Sequence, residues 1–334
     1  MRARSVVLRQ PPDGLPTPGD FEVREGPALE PGPGEVLVRN DWLSLDPYQR
    51  AQMAGRHLSG TAGAGEVLRG ETVGTVVGGA LPEGTRVRTM GGWQTHTVVA
   101  ASAVTPVSDL VPEPRWALSA LGMPGLTAWA AVRQAGVASG ETVVVPATTG
   151  PVGSVAAGLC RRRGARVVGV VGTDEKVAYA TDTLTLGGLI NRRTEDVGDR
   201  LDALCPGGVD VYLDLVGGPV AEAAVARLAV GARVVLIGLM ADYNRPPGAD
   251  PTALNPAHLI RARATASGFV VYDHEDQRPA FLREVAPLVR SGAVPFKEEV
   301  VDGLDAAPDA FCRLMRGETF GKVVVDVQSG SGGG

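Results

Sequence analysis

The sequence predicts an α/β protein with a doubly wound parallel sheet and a second, β-rich domain. Two observations carry this prediction. From about Ser119 onwards, continuous apolar runs of strand length alternate with helical segments, which is the pattern of a parallel sheet covered by helices on both faces. Before that point, short strand-like segments are separated by Gly- and Pro-rich turns, which favours a compact barrel-like unit.

The composition bounds the class of protein and its partners. The chain has 334 residues, 44% of them hydrophobic, which is enough for roughly two domains with their own cores. The formal net charge of −5 creates no field that attracts a phosphate backbone, so we expect no nucleic-acid partner. The apolar runs are much shorter than the ~20 residues that span a bilayer. The N-terminus also lacks the apolar core of a signal peptide, so we expect a cytoplasmic protein without a membrane partner.

The predicted elements follow the two patterns in order. In the first part of the chain the strands are Ser5–Arg9, Glu35–Trp42, Glu71–Val77, Arg86–Thr89 and Gln94–Ala100. In the second part they are Thr142–Pro146, Arg166–Val171, Gly188–Ile190, Val209–Asp214, Ala232–Ile237 and Thr265–Val270. The predicted helices are Val152–Arg163, Asp174–Leu186, Glu195–Ala203, Pro219–Leu228, Asn255–Arg261 and Gln277–Ser291.

The end of the chain returns to strand character at Phe296–Val301 and Lys322–Val327. This return predicts that residues 300–328 complete the first domain, which begins with residues 1–118. Residues 119–299 then form the parallel-sheet domain. Residues 329–334 are a Gly/Ser tail with the composition of an appended linker.

A dinucleotide fingerprint follows the first strand of the predicted parallel sheet. Ala147, Gly150 and Gly153 hold the three small positions of an AxxGxxG variant between a strand and a helix. Gly150 lets the backbone approach a pyrophosphate, and Gly153 lets the helix pack against the strand. Pro151 and Val152 open the helix, whose first N–H groups and dipole favour an anion. An ordinary strand–helix turn is the alternative, but a position at the start of a strand–helix series favours dinucleotide binding.

The end of the second strand of this sheet indicates which dinucleotide binds. NAD-specific sites carry an acid there for the ribose hydroxyls, whereas Gly172-Thr173 places no acid at this tip. Lys176 follows and attracts a 2′-phosphate as a point charge, so the sequence favours NADPH. Asp174 and Glu175 oppose this interpretation, although as first-turn residues they also suit the helix dipole. The alternative for Lys176 is a solvated helix residue.

Several strings occur in one order between residues 45 and 322. They are Leu45-Asp46-Pro47-Tyr48-Gln49-Arg50, Gly122-Met123-Pro124-Gly125-Leu126-Thr127-Ala128, the glycine turn, Gly172-Thr173-Asp174-Glu175-Lys176, Val216-Gly217-Gly218, Tyr243-Asn244-Arg245, Gly268-Phe269-Val270-Val271-Tyr272 and Gly321-Lys322. Together they resemble the zinc-free medium-chain dehydrogenase/reductases, in particular the leukotriene B4 dehydrogenase, prostaglandin reductase and 2-alkenal reductase branch. The DPYxR, GMPGLTA and GFVVY strings are specific to this branch, whereas the glycine turn is common to the superfamily.

The resemblance implies a GroES-like β-barrel domain, a Rossmann domain and a homodimer. It also implies NADPH-dependent reduction of the C=C bond of α,β-unsaturated ketones or aldehydes, by hydride transfer to the β-carbon and protonation of the enolate. The zinc alcohol dehydrogenases need a Cys near the position of Asp46 and a His in a GHE string. Here Gly70-Glu71-Thr72 replaces that string and the first cysteine is Cys160, so we expect no catalytic zinc.

The resemblance also assigns candidate site residues. Tyr48 and Tyr243 occupy positions that the family uses to line the substrate carbonyl and the nicotinamide ribose, and either phenol is a candidate donor to the enolate oxygen. An anchoring role is the alternative for both tyrosines. Cofactor contacts are expected from Met123 and Thr127, which open the Rossmann domain, although Met123 also suits core packing. The residues expected near the nicotinamide are Ile237, Gly238, Leu239, Tyr243, Phe269, Val270 and Val271.

Three residues depart from the pattern of the family. Arg192 stands where the family has the Tyr of an Asn-Tyr-Lys-like string, and a bidentate guanidinium there strengthens the preference for NADPH. Leu215 and Thr319 each replace an asparagine of the family, and both departures remove an amide that contacts the cofactor.

These departures leave alternative functions open. They are a quinone reductase or a specialised biosynthetic reductase on the same scaffold, and a non-catalytic NADPH-binding protein. The substrate itself depends on the loops Met53–Gly65 and Asp242–Asn255.

Overall fold

The structure, a computed structural model, describes residues 3–245 and 254–329. The predicted loop Asp242–Asn255 is therefore described only at its two ends, and all but the first residue of the Gly/Ser tail lies outside the described residues. Within the described ranges, no helix combines the length and the hydrophobicity that crossing a bilayer requires.

The chain divides into two compact units. One unit comprises Met1–Ser119 and Glu298–Gly334, and the other comprises Ala120–Lys297. The chain therefore leaves the first unit once and returns to it once.

The first unit is built mainly from antiparallel strands. Its N-terminal part contains β1 (Ala3–Leu8), β2 (Phe21–Gly26), β3 (Glu35–Leu45), α1 (Tyr48–Met53), β4 (Thr72–Gly79), β5 (Arg86–Thr89), β6 (His96–Ala100) and β7 (Thr105–Pro106). The long strand β3 pairs antiparallel with both β4 and β6, while β5 pairs with β4 and β7. Val36 and Val38 are fully buried against Val76 and Val87, whereas Leu37 between them is only half-buried, as the two-residue period of a strand requires.

The second unit alternates helices and strands. It contains α2 (Met123–Gln134), β8 (Thr142–Pro146), α3 (Pro151–Arg162), β9 (Arg166–Val171), α4 (Asp174–Tyr179), β10 (Gly188–Asn191), α5 (Val197–Leu204), β11 (Val209–Asp214), α6 (Gly218–Val225), β12 (Leu228–Leu236), α7 (Pro256–Ala262), β13 (Thr265–Gly268) and α8 (Arg278–Arg290). Its six strands form a parallel sheet in the order β10-β9-β8-β11-β12-β13. This is the strand order of Rossmann domains. Successive strands are added towards one edge from β8 to β10 and towards the other edge from β11 to β13, so the order changes direction between β8 and β11.

The apolar runs of these strands explain the burial of the sheet. Val143, Val144 and Val145 in β8 are all fully buried, which fits a strand covered on both faces. The predicted α/β fold class, with a parallel Rossmann sheet and a β-rich first domain, is thus confirmed.

The last elements rejoin the first unit. They are β14 (Glu298–Asp302), α9 (Ala307–Met315) and β15 (Lys322–Asp326). Strand β15 pairs antiparallel with β3 and parallel with β14, so the C-terminal residues extend the sheet of the N-terminal residues.

Some predicted boundaries were wrong. The predicted helix Pro219–Leu228 ends at Val225, because Leu228 already pairs with Val209 as the first residue of β12. The predicted helix Asp174–Leu186 is α-helical only to Tyr179 and continues as a π-helical turn to Leu184. The strands β2 and β7 and the helices α1, α2 and α9 were not predicted.

Candidate functional site

The turn between β8 and α3 has the geometry of a phosphate-binding loop. Gly150 is the N-cap of α3 with an extended backbone, and Pro151 and Val152 begin the helix. A Cβ on Gly153 would lie 2.3 Å from the carbonyl oxygen of Ala147, so only glycine fits there without moving the backbone. The first-turn N–H groups of α3 have no carbonyl partner within the helix, so they are available to an anion.

A buried threonine holds this turn against β9. The Thr148 hydroxyl donates to the carbonyl oxygen of Val145 at 2.5 Å and accepts from the N–H of Val170 at 2.9 Å. The preceding residue, Ala147, has φ +48°, in the left-handed region. Thr148 was not among the predicted site residues, although a small polar residue inside a glycine turn is a recognisable signal.

The end of β9 carries the residues predicted to select the cofactor. Thr173 caps α4, since its hydroxyl oxygen accepts from the backbone N–H of Lys176 at 3.3 Å. This cap fixes the first turn of α4, from which the half-buried side chain of Lys176 projects. Asp174 is also in this turn, and its Oδ1 accepts a hydrogen bond of 2.7 Å from Asn191 Nδ2.

Arg192 lies at the end of the neighbouring strand β10. Its backbone N–H donates to the carbonyl oxygen of Val171 at 3.0 Å, which continues the pairing of β10 with β9. Its guanidinium Nη2 lies 3.6 Å from the position that a Cβ on Gly172 would occupy. Desolvation and the neighbouring Arg193 lower the pKa of Arg192, but an arginine stays charged at neutral pH. Among the described residues the guanidinium has no carboxylate or carbonyl partner.

A buried aspartate organises the end of β11. Oδ1 of Asp214 accepts hydrogen bonds from the Tyr212 hydroxyl at 3.0 Å and from the N–H groups of Val216 and Gly217 at 3.1 and 2.8 Å. Burial raises the pKa of this carboxyl group, and the two N–H groups oppose that shift. Leu215, which replaces the asparagine of the family, follows directly and offers no side-chain hydrogen bond.

The segment after β12 holds the second candidate tyrosine. The N–H groups of Ile237 and Gly238 donate to the carbonyl oxygen of Asp214 at 2.9 and 3.1 Å, which ties this segment to β11. The backbone N–H of Leu239 donates to the phenolic oxygen of Tyr243, and burial raises the pKa of that phenol. The phenol is therefore protonated at neutral pH, and its hydrogen can be donated to a ligand.

Phe269, Val270 and Val271 follow β13. The predicted strand to Val270 ends at Gly268, but the N–H of Phe269 still donates to the carbonyl oxygen of Leu236 at 3.0 Å. Phe269 is buried and its ring stacks on His274 with centroids 4.9 Å apart.

Met123 and Thr127 lie one turn apart at the start of α2. The Thr127 hydroxyl donates to the Met123 carbonyl oxygen at 2.8 Å, within the helix, and also lies 3.7 Å from the Met123 sulfur. Thr127 is buried and Met123 is half-buried, so the methionine presents the more accessible surface of the two.

Tyr48 and Thr319 belong to the first unit. Tyr48 is the first residue of α1 and stacks on His57, with ring centroids 4.8 Å apart. Nδ1 of His57 accepts from the N–H of Ser59 at 3.1 Å and lies 2.6 Å from the Ser59 hydroxyl, which accepts from Gln52 Nε2 at 2.7 Å. These contacts place the ring proton on Nε2, and burial lowers the pKa of His57. Thr319 is buried near the start of β15.

The topology therefore brings the predicted cofactor residues that follow the strands β8, β9, β10, β12 and β13 to one edge of the sheet. One group follows the adjacent strands β8, β9 and β10 and carries the glycine turn and the two cations. The other group follows β12 and β13 and carries the apolar residues and Tyr243. Ligands bind at this carboxyl edge in doubly wound sheets, on either side of the strand-order reversal. Asp214, Asn191 and His57 were not among the predicted site residues, because their importance arises from hydrogen bonds and ring contacts that only the fold creates.

Comparisons with known proteins agree with this architecture. A family model described as the N-terminal domain of oxidoreductase matches residues 4–107, and one described as zinc-binding dehydrogenase matches residues 151–286. The NADPH-dependent curcumin reductase of Escherichia coli (strain K12) is 36% identical, over 98% of this chain and 97% of its own. Prostaglandin reductase 1 of Mus musculus is 34% identical, over 97% of this chain and 99% of its own.

A solved structure is similar over the same length. The crystal structure of CurA from Vibrio vulnificus in complex with NADPH has a TM-score of 0.91 and 32% identity, covering 98% of this chain and 99% of that chain. Although one family description mentions zinc, residues 3–245 and 254–329 contain no group of three or more His, Cys, Asp or Glu side chains that could hold a metal ion.

Proposed function

The chain belongs to the zinc-free branch of the medium-chain dehydrogenase/reductase family, and we propose that it reduces the C=C bond of α,β-unsaturated ketones and aldehydes with NADPH. The relatives are named as NADPH-dependent curcumin reductase and prostaglandin reductase, and the similar CurA structure contains NADPH. The observation that carries the proposal is the glycine turn of α3 together with two basic residues that follow the adjacent strands. Lys176 is in the first turn of α4, after β9, and Arg192 directly follows β10.

The residues at this edge suit NADPH. Gly150 and the first turn of α3 would hold the diphosphate. Gly153 would keep this turn in place, because a Cβ there would lie 2.3 Å from the carbonyl oxygen of Ala147. Lys176 and Arg192 would hold the 2′-phosphate, Arg192 through its planar pair of N–H donors. Thr173 would support them by fixing the first turn of α4.

When bound, the cofactor supplies the hydride that adds to the β-carbon of the substrate. The protein must then stabilise the negative charge that develops on the carbonyl oxygen. We assign this role to the hydroxyl of Tyr243, because the Leu239 N–H donates to its oxygen and its own hydrogen remains available to a ligand. Tyr48 is the second proposed donor, held in place by the His57 ring.

The remaining candidate residues have positioning roles in this proposal. Apolar contacts with the nicotinamide half are proposed for Met123, Thr127, Ile237, Gly238, Leu239, Phe269, Val270 and Val271, and Thr319 is proposed as a contact from the first domain. Residues 1–118 with 300–328 would act as the substrate-binding domain and residues 119–299 as the NADPH-binding domain.

We also propose that the protein is a homodimer. Strand β13 ends the six-stranded sheet, and Thr265 and Ala266 are exposed on it. An edge strand offers backbone groups that a second copy can pair with. Sedimentation velocity at micromolar concentration should give a dimer, and a monomer would contradict this proposal.

A cytoplasmic location is a further proposal. The cysteines of the described chain are free and buried, which suits a reducing compartment. Fractionation of cells that express the untagged protein should place it with cytoplasmic markers, whereas recovery with periplasmic or secreted proteins would contradict it.

The activity is tested with a panel of substrates. NADPH and NADH oxidation should be followed with an aliphatic enone, an enal, curcumin and a quinone, and the matching saturated ketone serves as the control. The proposal expects product with a reduced C=C bond from the enone and the enal, with NADPH preferred. Turnover of the quinone alone would favour a quinone reductase, and binding of NADPH without turnover of any compound would favour a non-catalytic protein.

A further inference from the structure

Asp174 begins α4 just after the tip of β9, close to the position where an acid would select NAD. It lies 21 residues after Gly153, and NAD-specific Rossmann domains carry an Asp or Glu about 20 residues after the glycine turn to bind the ribose hydroxyls. A free carboxylate at this position would repel the 2′-phosphate of NADPH. The proposed preference for NADPH therefore needs a reason why Asp174 does not oppose it.

Asn191 supplies that reason. It is the last residue of β10, its side chain is buried, and its Nδ2 donates to Oδ1 of Asp174 at 2.7 Å. A 180° flip of its side-chain amide would break a second hydrogen bond, because its Oδ1 accepts from the backbone N–H of Arg193 at 3.1 Å. Its own N–H donates to Oε2 of Glu195 at 2.8 Å, which fixes the backbone at the same point. Asp174 is thus bound from the side of β10.

The next residue is Arg192, whose guanidinium lies beside Gly172 rather than on Asp174. Between the described residues there is no salt bridge that joins Arg192 to a carboxylate. An unrestrained Asp174, in the turn that follows Gly172, would compete with a phosphate for this guanidinium. The hydrogen bond from the Asn191 side-chain amide therefore keeps the Asp174 carboxylate away from the Arg192 guanidinium.

We propose that Asn191 is a specificity-determining residue that, by holding the Asp174 carboxylate, leaves the Arg192 guanidinium to the 2′-phosphate of the cofactor. This inference rests on the proposed use of NADPH and deepens it. It concerns the selection between the two dinucleotides and makes no change to the hydride-transfer step.

The test measures binding by the full-length protein, with 2′,5′-ADP as the probe that carries the phosphate and ADP as the probe that lacks it. Isothermal titration calorimetry should show that Asn191→Ala weakens 2′,5′-ADP about fivefold, the effect of one partly screened like charge, while the affinity for ADP is unchanged. Asn191→Ala combined with Asp174→Asn should restore the affinity for 2′,5′-ADP. Equal weakening of both probes, or no recovery in the double variant, would overturn the inference.

A second variant keeps the inference testable if Asn191→Ala does not fold. Asp174→Ala alone removes the charge that Asn191 restrains, so the affinity for 2′,5′-ADP should stay the same or rise. A fall in that affinity would contradict the inference. Failure of the proposed cofactor preference would look different, because the unaltered protein would then bind 2′,5′-ADP no more tightly than ADP.

Discussion

Lys322 forms a buried salt bridge with Asp46, and the two residues lie 276 positions apart in the chain. The exposed fractions of their side chains are 1% and 5%, and the Lys322 ammonium also donates to the carbonyl oxygen of Leu45 at 2.9 Å. Gln49 completes this cluster, since its Oε1 accepts from the N–H of Asp46 at 3.0 Å. The turn that presents Tyr48 is therefore held by the last strand of the chain.

Breaking this pair should cost far more stability than breaking an exposed one. Lys322→Met leaves a buried carboxylate without its cation, so the free energy of unfolding in urea should fall by about 3–5 kcal/mol. Lys322→Met combined with Asp46→Asn removes both charges and should recover part of that loss. Arg316→Met is the matched control, because its partner Glu318 is exposed and the loss should stay below about 1 kcal/mol. Equal losses for the buried and exposed pairs would contradict the assigned role.

Gly153→Ala should disrupt the phosphate-binding turn. The added Cβ would lie 2.3 Å from the Ala147 carbonyl oxygen and 2.8 Å from Thr148 Cα, so the backbone must move. We expect a loss of about 1–3 kcal/mol in stability and a marked rise in the Kd for NADPH, measured by fluorescence titration. Gly207→Ala is the control, since a Cβ there meets no atom of the described chain within 4 Å. Unchanged NADPH binding in Gly153→Ala would argue against a diphosphate site at this turn.

The sequence predicted the parallel sheet well because its signals are local. The apolar runs of β8, β9 and β11 predicted the observed bounds, since a strand that is covered on both faces carries mostly apolar residues. The start of β12 was missed because its first residues are also compatible with the end of a helix, and only the pairing of Leu228 with Val209 decides between them. The contact of Asn191 with Asp174 was missed for a similar reason, because the register of β10 on β9 brings together residues that are 17 positions apart.

Tyr243→Phe should lower kcat much more than it changes KM. The substitution keeps the ring and removes the hydroxyl that is proposed to donate to the enolate oxygen. Loss of one such donor typically lowers kcat about 100- to 1000-fold. Steady-state kinetics with an enone and NADPH would measure the effect. Tyr179→Phe is the control, because Tyr179 is a half-buried residue of α4 that has no proposed contact with the nicotinamide or the substrate. It keeps its ring near Lys297 and should leave kcat within about twofold.

The pH dependence of kcat provides an independent check on Tyr243. Burial raises the pKa of its phenol above the usual value of 10.0, so the protonated form persists to higher pH than in a free tyrosine. An alkaline fall in kcat that comes from this group should therefore appear only above pH 10. A fall that is centred well below pH 10 and disappears in Tyr243→Phe would show that the environment of the phenol differs from the one described.

His57 should make the first unit less stable in acid. Its Nδ1 accepts the Ser59 N–H, so a proton on that nitrogen would break this bond, and burial lowers the pKa of the ring below the usual 6.5. The neutral form is therefore the one that folding favours. The contribution of His57 to stability is fully present above pH 6.5 and is lost as the pH falls through the lowered pKa.

His57→Phe keeps a ring against Tyr48 and cannot be protonated. The free energy of unfolding should therefore decrease less in this variant than in the unaltered protein between pH 7.5 and 5. His96 also has a lowered pKa, but it is present in both proteins and its contribution cancels. Identical pH dependence in the two proteins would mean that His57 does not accept the Ser59 hydrogen bond in solution.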